Sequence, residues 1–536
     1  MKPVDVLVLN NIGGGFDILV KRLPNPHETI MMKQMRLTED LAKGGNVAVA
    51  LARLGVSCAI IGKIGDDEAG KRDLGWMQAA GVDTGEVLVS PDVATGQGIG
   101  IIAENGDNIL ITGESSSEKL TWEEVQAAML RRRGAGYFIT GLEVRMPLVL
   151  RAIQLAKQLG MRVMLDGVFN HQAFVSRYFN GDGSYQSVGA AQSQDSPYYP
   201  WYHFSHWPDH YDSWWGIYSL PAVDESQPTY RDFIFAGENS IIRRWLNAGA
   251  DGWRLDVADE LPDDFVHGIH AAARQAKPDA VVIGEVWEDG SNKIAYGVRR
   301  RHILGGHCDG LMNYPFRNAL LSFLLGDDAF HFKQAMETIR ENYPPFAWRS
   351  AMNFLGTHDT PRILTLLGVG GDGKDHSKDW RAAFRMSDEQ YQRGRARLRL
   401  GALVLFAFPG SPTIYYGDEA GLEGFEDPFN RRTFPWGRED EELLAWYRAL
   451  GAARGQLEAL RRGELTWLHT RGRVLAFLRG EGERAVLAAV NAGDRPEAIT
   501  LPWPARDWMT GGELPAGACE LPPMTGWLLT PRKPEG

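Results

Sequence analysis

Four apolar stretches that each end in polar groups constrain this chain more than any other feature. They run over residues 162–171, 250–256, 280–287 and 352–359, and each carries a carboxylate or a histidine at its carboxyl end. Stretches with helical periodicity, such as 263–275, lie between them. Strands that alternate with helices indicate a parallel sheet, and a (β/α)8 barrel gathers its catalytic groups where its strands end. The pattern therefore predicts an α/β fold with a TIM-type barrel.

The second of these strands ends in Gly252-Trp253-Arg254-Leu255-Asp256. Because strand side chains alternate between two faces, Arg254 and Asp256 should project to the same side. A guanidinium beside a carboxylate favours the ionised form, which a carboxylate nucleophile needs at neutral pH. The alternative is a buried ion pair at the edge of a sheet without a catalytic role.

Composition narrows the class of protein. The chain has 536 residues, enough for three or four domains, and a net charge of −11 that argues against nucleic acid or an anionic membrane as the main partner. No apolar run is long enough to span a bilayer, and the first residues do not form a signal-peptide pattern. Three widely spaced cysteines, without the spacing of metal ligands, predict a cytoplasmic protein without disulfides.

The first 160 residues form a separate α/β pattern. Apolar strands are predicted near 4–9 and 57–61, with a helix over 47–54 between them, and a hairpin is predicted from 99–102 to 108–112. Sequence blocks in a fixed order accompany this pattern, at 24–29, 44–48, 52–55, 62–67 and 95–96. These blocks resemble the first half of the ribokinase-like (PfkB) carbohydrate kinases. The resemblance implies a partial ribokinase-like domain over 1–160.

In such kinases the sugar-binding positions would fall near Gly44, Gly45 and Asn46. Their catalytic base and ATP-binding loop come from the second half, where a glycine-rich turn opens a helix and presents backbone N–H groups to phosphate. The nearest candidate, 370–373, continues into Lys374-Asp375-His376 instead of a small apolar helix start. The kinase region is therefore predicted to be a fragment.

From residue 161 onward the chain resembles glycoside hydrolase family 13, the α-amylase family, and in particular neopullulanase-like and amylopullulanase-like α-glucan hydrolases. The blocks that carry this resemblance are 211–216, 220–221, 252–260, 283–288, 413–419 and 427–432. The resemblance implies a barrel over 161–450 with an inserted loop subdomain at 172–220, followed by a C-terminal β-sandwich over 451–536.

The strand that bears Asp166 corresponds to the third strand of the family's barrel. The first two β/α units are therefore missing, and the kinase-like fragment stands in their place. An open barrel would expose a strand edge. We hypothesise that two strands of the fragment, residues 136–140 among them, pair beside the Asp166 strand.

The resemblance assigns roles to individual residues. Asp256 would be the nucleophile and Glu285 the acid/base, since retaining glycosidases use two carboxyl groups about 5–5.5 Å apart. Apolar neighbours such as Val286 and Trp287 would favour the protonated form of Glu285. Asp359 would be a third carboxylate that holds sugar hydroxyls. The remaining substrate-binding residues are predicted to be Asp166, His171, Arg254, His358, Trp287, Trp215, Asp427 and Arg431.

Several assignments have structural alternatives. His171 and His358 could be hydrogen-bonded structural residues at strand ends. The residue at the position of Asn170 coordinates calcium in many members of the family that the chain resembles. A structural side chain fits equally well here, so the metal ligands are unknown. The aromatic residues of 172–220 could line a sugar-binding cleft or form the core of the inserted subdomain.

The expected function is hydrolysis of α-glucans or maltooligosaccharides through α-1,4 bonds, with α-1,6 bonds left open, by a retaining mechanism. No cofactor is required, with calcium left open, and neither nucleic acid nor membrane is expected as a partner. The alternative is a catalytically inactive fusion that binds carbohydrate, because the start of the barrel is replaced. A PfkB-type sugar kinase ranks third, since its catalytic half is missing.

Overall fold

The structure is a computed structural model, and it describes residues 4–532 except 26–27, 39, 105–106, 115, 142, 162, 433 and 436. Pro26 and His27 of the kinase-like blocks, Arg162 of the Asp166 strand and the centre of the 99–112 hairpin turn lie outside these residues. The chain divides into two compact units. The first comprises Met1–Met161, Phe316–Thr338 and Asn353–Gly536, and the second comprises Arg162–Pro315 and Ile339–Met352. No helix in the described ranges is both long and apolar enough to span a membrane.

A parallel four-stranded sheet lies at the centre of the first 161 residues. In spatial order its strands are Asp83–Ser90, Cys58–Gly65, Val6–Leu9 and Tyr137–Thr140. The helices of this region are Ala42–Arg53, Glu68–Ala79, Trp122–Arg131 and Met146–Gln158. The two central strands are buried over their whole length, as expected for a parallel sheet whose aliphatic runs pack against helices. The predicted alternation of strands and helices is confirmed.

A second sheet in this region has the order Met32–Thr38, Gly13–Val20, Gly96–Ala103 and Asn108–Thr112. Its last two strands are antiparallel, with Ile99 opposite Ile111. The predicted pairing of 99–102 with 108–112 is therefore confirmed.

The hypothesis that residues 136–140 pair beside the Asp166 strand is wrong. Tyr137–Thr140 is hydrogen-bonded to Val6–Leu9, where it completes the sheet of the fragment itself. Among the strands that the structure describes, Met164–Gly167 pairs only with Gly252–Leu255 and is an edge strand. Val6–Leu9 is fully buried and pairs with a strand on each side. Both edges of this central strand are therefore occupied by strands of the fragment itself.

The N-terminal fragment shares its core with the later part of the first unit. Ala420 and Phe434 belong to the same buried apolar cluster as Val8 and Ile60 of the parallel sheet. Arg448 also donates to the backbone carbonyl of Arg53 at 2.5 Å. The fragment is therefore packed into this unit and does not form a body of its own.

The remainder of the first unit is helical and then antiparallel. Strand Met352–Phe354 pairs with Ser411–Thr413. The helices are Ile363–Val369, Lys378–Ala383, Asp388–Ala407, Glu441–Gln456 and Glu458–Arg462, and two further helices, Tyr314–Leu325 and Ala329–Asn342, cross the boundary between the units. Gly370 ends the helix at Val369 in a left-handed conformation, with φ of 89°.

The C-terminal region contains two antiparallel sheets. The larger has the order Leu465–Arg471, Val474–Arg479, Val486–Asn491, Thr525–Pro531, Ala505–Asp507 and Glu513–Leu514, and the smaller pairs Glu497–Leu501 with Gly517–Leu521. Side chains from both sheets, including Ala476, Leu487, Ile499 and Leu521, form one buried cluster. The hairpin predicted from 474–478 and 485–490 is confirmed.

The second unit is built on a parallel sheet with the order Gly310–Leu311, Val281–Gly284, Gly252–Leu255 and Met164–Gly167. Its helices include Pro228–Arg231, Ile241–Ala248, Asp263–Ala276 and Pro345–Ser350. A single parallel bridge from Met312 to Met352 continues the sheet direction. The protein is therefore a mixed α/β structure with a C-terminal antiparallel region.

Candidate active site

The register of the parallel sheet places the predicted carboxylates side by side. Arg254 is directly opposite Asp166 on the neighbouring strand, so both side chains project from the same face. Beyond the last paired residues, the backbone N–H of Asp256 donates to the carbonyl oxygen of Gly167, and the backbone N–H of Glu285 donates to that of Leu255, both at 3.0 Å. The carboxyl ends of three adjacent strands therefore meet at one edge of the sheet.

Arg254 is in contact with three carboxylates. Its Nη1 donates to Asp256 Oδ1 at 2.5 Å and to Asp166 Oδ1 at 2.8 Å. Its Nη2 donates to Glu285 Oε2 at 2.7 Å. Burial lowers the pKa of Arg254, but the negative charges of Asp166, Glu285 and Asp256 outweigh this effect and raise the pKa. The guanidinium therefore remains charged and holds Asp256 and Glu285 at short range.

Glu285 is the most enclosed of the three carboxylates. Its side chain is 3% exposed, against 21% for Asp256 and 64% for Asp166. Trp287 Nε1 lies 3.3 Å from Glu285 Oε1, and the Trp287 ring stacks on Tyr314 with centroids 4.4 Å apart. The contact between Arg254 and Glu285 was not foreseen from the sequence, which placed the arginine beside Asp256 only.

Backbone strain occurs next to Asp256. Val257 has a φ of 41°, which a β-branched residue rarely adopts, and its N–H donates to Glu285 Oε2 at 3.0 Å. Such strain persists where the surrounding structure imposes it, and it concentrates at functional sites. The strained residue thus connects the backbone of the Asp256 strand to the side chain of Glu285.

His171 extends this group along one side. Its Nδ1 lies 2.8 Å from Asn170 Oδ1, and its ring stacks on Trp214 with centroids 4.9 Å apart. Burial lowers the pKa of His171, although the charges of Asp256 and Glu260 act in the opposite direction. The neutral imidazole is therefore favoured at pH 7, with Nε2 available for a hydrogen bond.

A cavity of about 500 Å³ adjoins His171 through Trp214. It is lined by Asn170, Ser213, Trp214, Trp215, Ala222, Val223, Glu225, Glu260, Pro262, Ala295, Tyr296, Val298 and Arg300. Glu260 accepts hydrogen bonds from Trp214 Nε1 at 2.6 Å, Trp215 Nε1 at 2.7 Å and Asn170 Nδ2 at 3.1 Å. Burial raises the pKa of Glu225 to about 7.

The sequence reasoning gave no role to Glu260 or Tyr296. For Glu260 a signal existed, since it lies four residues after Asp256 and within the same loop. The inserted aromatic residues divide as the two alternatives suggested: Trp201 and Tyr202 are buried in the subdomain, whereas Trp214 and Trp215 line the cavity.

Asn170 links two side chains of this group. Both polar atoms of its side chain are engaged, Nδ2 with Glu260 and Oδ1 with His171. Across the described part of the chain, no group of three or more His, Cys, Asp or Glu side chains is arranged to hold a metal ion. Asn170 thus connects Glu260 to His171.

The other predicted site residues form a group within the first unit. His358 Nε2 lies 3.1 Å from Asp359 Oδ2. Arg431 Nη2 lies 3.6 Å from Asp359 Oδ1, and Arg431 Nε lies 3.4 Å from Asp427 Oδ2. Fully buried Asn430 supports this loop, because its Nδ2 donates to the carbonyls of His358 and Thr360, both at 2.8 Å. Asn430 thus fixes the backbone on either side of Asp359.

Replacing Asn430 by Ala is expected to loosen this loop. The substitution leaves the carbonyls of His358 and Thr360 without their donor, at a cost of about 1–3 kcal/mol for the buried carbonyl of Thr360. In hydrogen–deuterium exchange, the amides of 357–360 should exchange roughly 10–100-fold faster. Asn247→Ala, at an exposed position on helix Ile241–Ala248, is the matched control. Unchanged exchange in Asn430→Ala would show that the side chain does not hold the loop.

Replacing Arg254 by Met is expected to destabilise the protein by about 3–5 kcal/mol, because it leaves the carboxyl groups of Asp256 and Glu285 without the partly buried guanidinium that donates to both. Urea unfolding monitored by tryptophan fluorescence measures the loss in the free energy of unfolding. Arg177→Met, which removes an exposed guanidinium, should cost less than about 0.5 kcal/mol. Equal losses in the two variants would contradict the role of Arg254 as the common partner of the carboxylates.

Two family models match the chain. The model for the α-amylase catalytic domain matches residues 149–462, which is more than half of the chain. The model for the pfkB family of carbohydrate kinases matches residues 25–175. The two matches overlap at the junction between the fragment and the strand that bears Asp166.

Known proteins with similar sequences are named as amylopullulanases and cyclomaltodextrinases. An amylopullulanase of Thermoanaerobacter thermohydrosulfuricus is 37% identical over 354 residues, which cover 60% of this chain and 23% of that protein. A cyclomaltodextrinase of Geobacillus thermopakistaniensis is 31% identical over 393 residues, which cover 69% of this chain and 59% of that protein. The chain spans only 18–28% of the length of the amylopullulanases that it matches.

Solved structures are similar over much of the chain. The type III pullulan hydrolase from Thermococcus kodakarensis aligns with a TM-score of 0.60 and 25% identity, covering 91% of this chain and 71% of that one. A debranching enzyme from Nostoc punctiforme aligns with a TM-score of 0.56 and 27% identity, covering 73% and 80% respectively.

Proposed function

The chain belongs to the α-amylase family, and on that premise we propose that it hydrolyses α-glucans with retention of configuration at the anomeric carbon. The observation that carries the proposal is the single guanidinium of Arg254 that contacts both Asp256 and Glu285. Two carboxylates held by one guanidinium are compatible with the separation of about 5–5.5 Å that a retaining mechanism requires. The substrates are α-1,4-linked glucans, with α-1,6 bonds suggested by the names of several relatives.

In the first step Asp256 attacks the anomeric carbon and the glycosidic bond breaks. Glu285 donates its proton to the departing oxygen, so that the leaving chain is released as a neutral alcohol. The sugar remains attached to Asp256 as an ester. In the second step Glu285, now ionised, removes a proton from water, and the resulting oxygen displaces Asp256 from the anomeric carbon.

The surroundings of the carboxylates support this division of roles. Glu285 is the least exposed of the three carboxyl groups, and the desolvation cost of a charge is greatest where exposure is least, which suits the acid/base role. Asp256 contacts Arg254 at the shorter distance, which suits the nucleophile.

The remaining roles follow from family membership and local contacts. We assign Asp359 the role of the third carboxylate that holds sugar hydroxyls, and we assign His171 and His358 the role of forming hydrogen bonds with the sugar. Asp166 and Arg254 support the carboxylate pair. Aromatic faces and further polar contacts to the glucan are supplied by Trp215, Trp287, Asp427 and Arg431. No organic cofactor takes part in either step.

We also infer the domain organisation. Residues 1–160 form a ribokinase-like fragment, 161–450 the last six β/α units of a barrel with an inserted subdomain at 172–220, and 451–536 a C-terminal β-sandwich. The match of the pfkB model to residues 25–175 supports the fragment. The two antiparallel sheets that share one core support the sandwich.

A second candidate function is carbohydrate binding without catalysis. The edge position of Met164–Gly167 favours it, because the strand that bears Asp166 has one partner among the described strands. An open edge permits this strand to shift relative to its neighbour and would weaken the alignment of Asp166 with Arg254.

Reducing-sugar release from soluble starch and pullulan by the purified full-length chain tests the proposal. Release that is linear in enzyme concentration, with the α-anomer appearing first by ¹H NMR, is the expected result. Retention of the protein in a starch-containing native gel without any sugar release would support the second candidate. A β-anomer as the first product would exclude the retaining mechanism.

A further inference from the structure

A small hairpin of the second unit presents an aromatic side chain at its tip. Strands Ile294–Ala295 and Val298–Arg299 are joined by Tyr296 and Gly297, whose φ angles are 51° and 76°. Two-residue turns with two positive φ angles favour Asn, Asp or Gly at the first position. Tyr296 is therefore strained, although its side chain is 78% exposed and gains little from burial.

The base of this hairpin is fixed to the loop that follows the Asp256 strand. Arg300 Nη2 donates to the carbonyls of Asp259 at 2.7 Å and Leu261 at 2.5 Å. The backbone N–H of Arg300 donates to Lys293 at 2.7 Å. Arg300 is buried, so these contacts hold the hairpin to the segment in which Glu260 lies.

The cavity that Tyr296 lines is also lined by a second strained aromatic residue. Trp215 has a φ of 53° and is 77% exposed. Its indole N–H donates to Glu260 Oε1 at 2.7 Å, which fixes the orientation of the ring while leaving its face in solvent. Trp214 binds the other oxygen of Glu260 and stacks on His171. One carboxylate therefore orients two indoles beside the proposed active site.

We propose that Trp215 and Tyr296 form an aromatic subsite that binds glucosyl units of an α-glucan chain extending from the carboxylate pair; this proposal rests on the function proposed above. Both side chains line one cavity of about 500 Å³, a size typical of small-ligand sites. Sugar rings expose apolar C–H faces that pack on aromatic rings, and the carboxyl groups of Glu225 and Glu260 line the same cavity, where they can form hydrogen bonds with sugar hydroxyls. Strain at two exposed aromatic residues is then explained by ligand binding.

The subsite should distinguish substrates by length. A short oligosaccharide bound at Asp256 and Glu285 does not extend into the cavity, whereas a longer chain contacts both aromatic faces. The loss of one face should therefore weaken the binding of maltohexaose and leave the binding of maltose nearly unchanged. The hairpin residue Tyr296 would be a determinant of chain-length preference.

Isothermal titration of the full chain with maltohexaose and maltose tests the proposal, with Asp256→Asn as the parent in order to prevent turnover. Tyr296→Asn removes the ring and keeps a residue that tolerates a positive φ, so that the turn still forms. The Kd for maltohexaose should rise about tenfold, as expected for one lost aromatic contact. Tyr296→Phe, which keeps the ring, should restore binding.

Ile294→Ala is the matched control, since Ile294 is an exposed apolar residue on the same hairpin and does not line the cavity. It should leave both affinities unchanged. Unaltered maltohexaose binding in Tyr296→Asn would overturn the proposal, as would an equal loss in Ile294→Ala. The proposed hydrolysis is measured separately, by sugar release from the unsubstituted chain, so the failure of one idea can be told from the failure of the other.

Discussion

Replacing Asp256 by Asn is expected to abolish reducing-sugar release from starch and pullulan, with a loss of at least about 10³-fold in kcat. The amide has nearly the same shape as the carboxylate but cannot form the glycosyl ester. It also keeps an oxygen that accepts a hydrogen bond from Arg254 Nη1, so the fold should be preserved. Initial rates at saturating substrate measure the effect.

The control for this variant is Asp279→Asn, an exposed carboxylate in the turn before the Glu285 strand. It should retain full activity. Circular dichroism and thermal unfolding of Asp256→Asn should match those of the unsubstituted protein, which would separate lost chemistry from lost structure. Activity of Asp256→Asn within tenfold of the unsubstituted protein would exclude Asp256 as the nucleophile.

Replacing Glu285 by Gln is expected to give losses that depend on the leaving group. With starch, whose departing oxygen needs a proton, kcat should fall about 10²–10⁴-fold. With 4-nitrophenyl α-maltoside, whose phenolate leaves without a proton, the first step should remain fast. Water attack then lacks its base, so a stoichiometric burst of 4-nitrophenol followed by slow turnover should appear in stopped-flow absorbance.

The matched control is Glu288→Gln, because Glu288 lies three residues further along the chain, is well exposed and pairs with Lys293. It should behave as the unsubstituted protein on both substrates. Equal losses on starch and on the aryl substrate, without a burst, would mean that Glu285 mainly holds Arg254 and Val257 in place and does not transfer protons.

Much of the organisation was predictable from sequence. The fragment pattern of the first 160 residues, the antiparallel C-terminal hairpin and the strands that bear Asp166, Asp256 and Glu285 were all expected, and the structure contains them. The reason is that apolar runs, turn residues and alternation are local properties, which the sequence states directly.

Pairing between distant strands was not predictable in the same way. The strand at 136–140 was expected beside Asp166 and instead pairs with Val6–Leu9. Val6–Leu9 and the Asp166 strand are both short and largely apolar. The apolar pattern of 136–140 therefore fits beside either of them. Competition within the fragment, where a fully buried strand needs two partners, decided the outcome.

By itself the sequence determined which side of a strand carries chemistry: alternation put Arg254 and Asp256 on one face, and their order along the chain identified a family. Only the tertiary structure decided that Arg254 also contacts Glu285 and that Glu260 orients two indoles. It alone showed the strain at Tyr296. Local periodicity fixes where a side chain points, whereas the register between strands and the anchoring of loops fix what it meets.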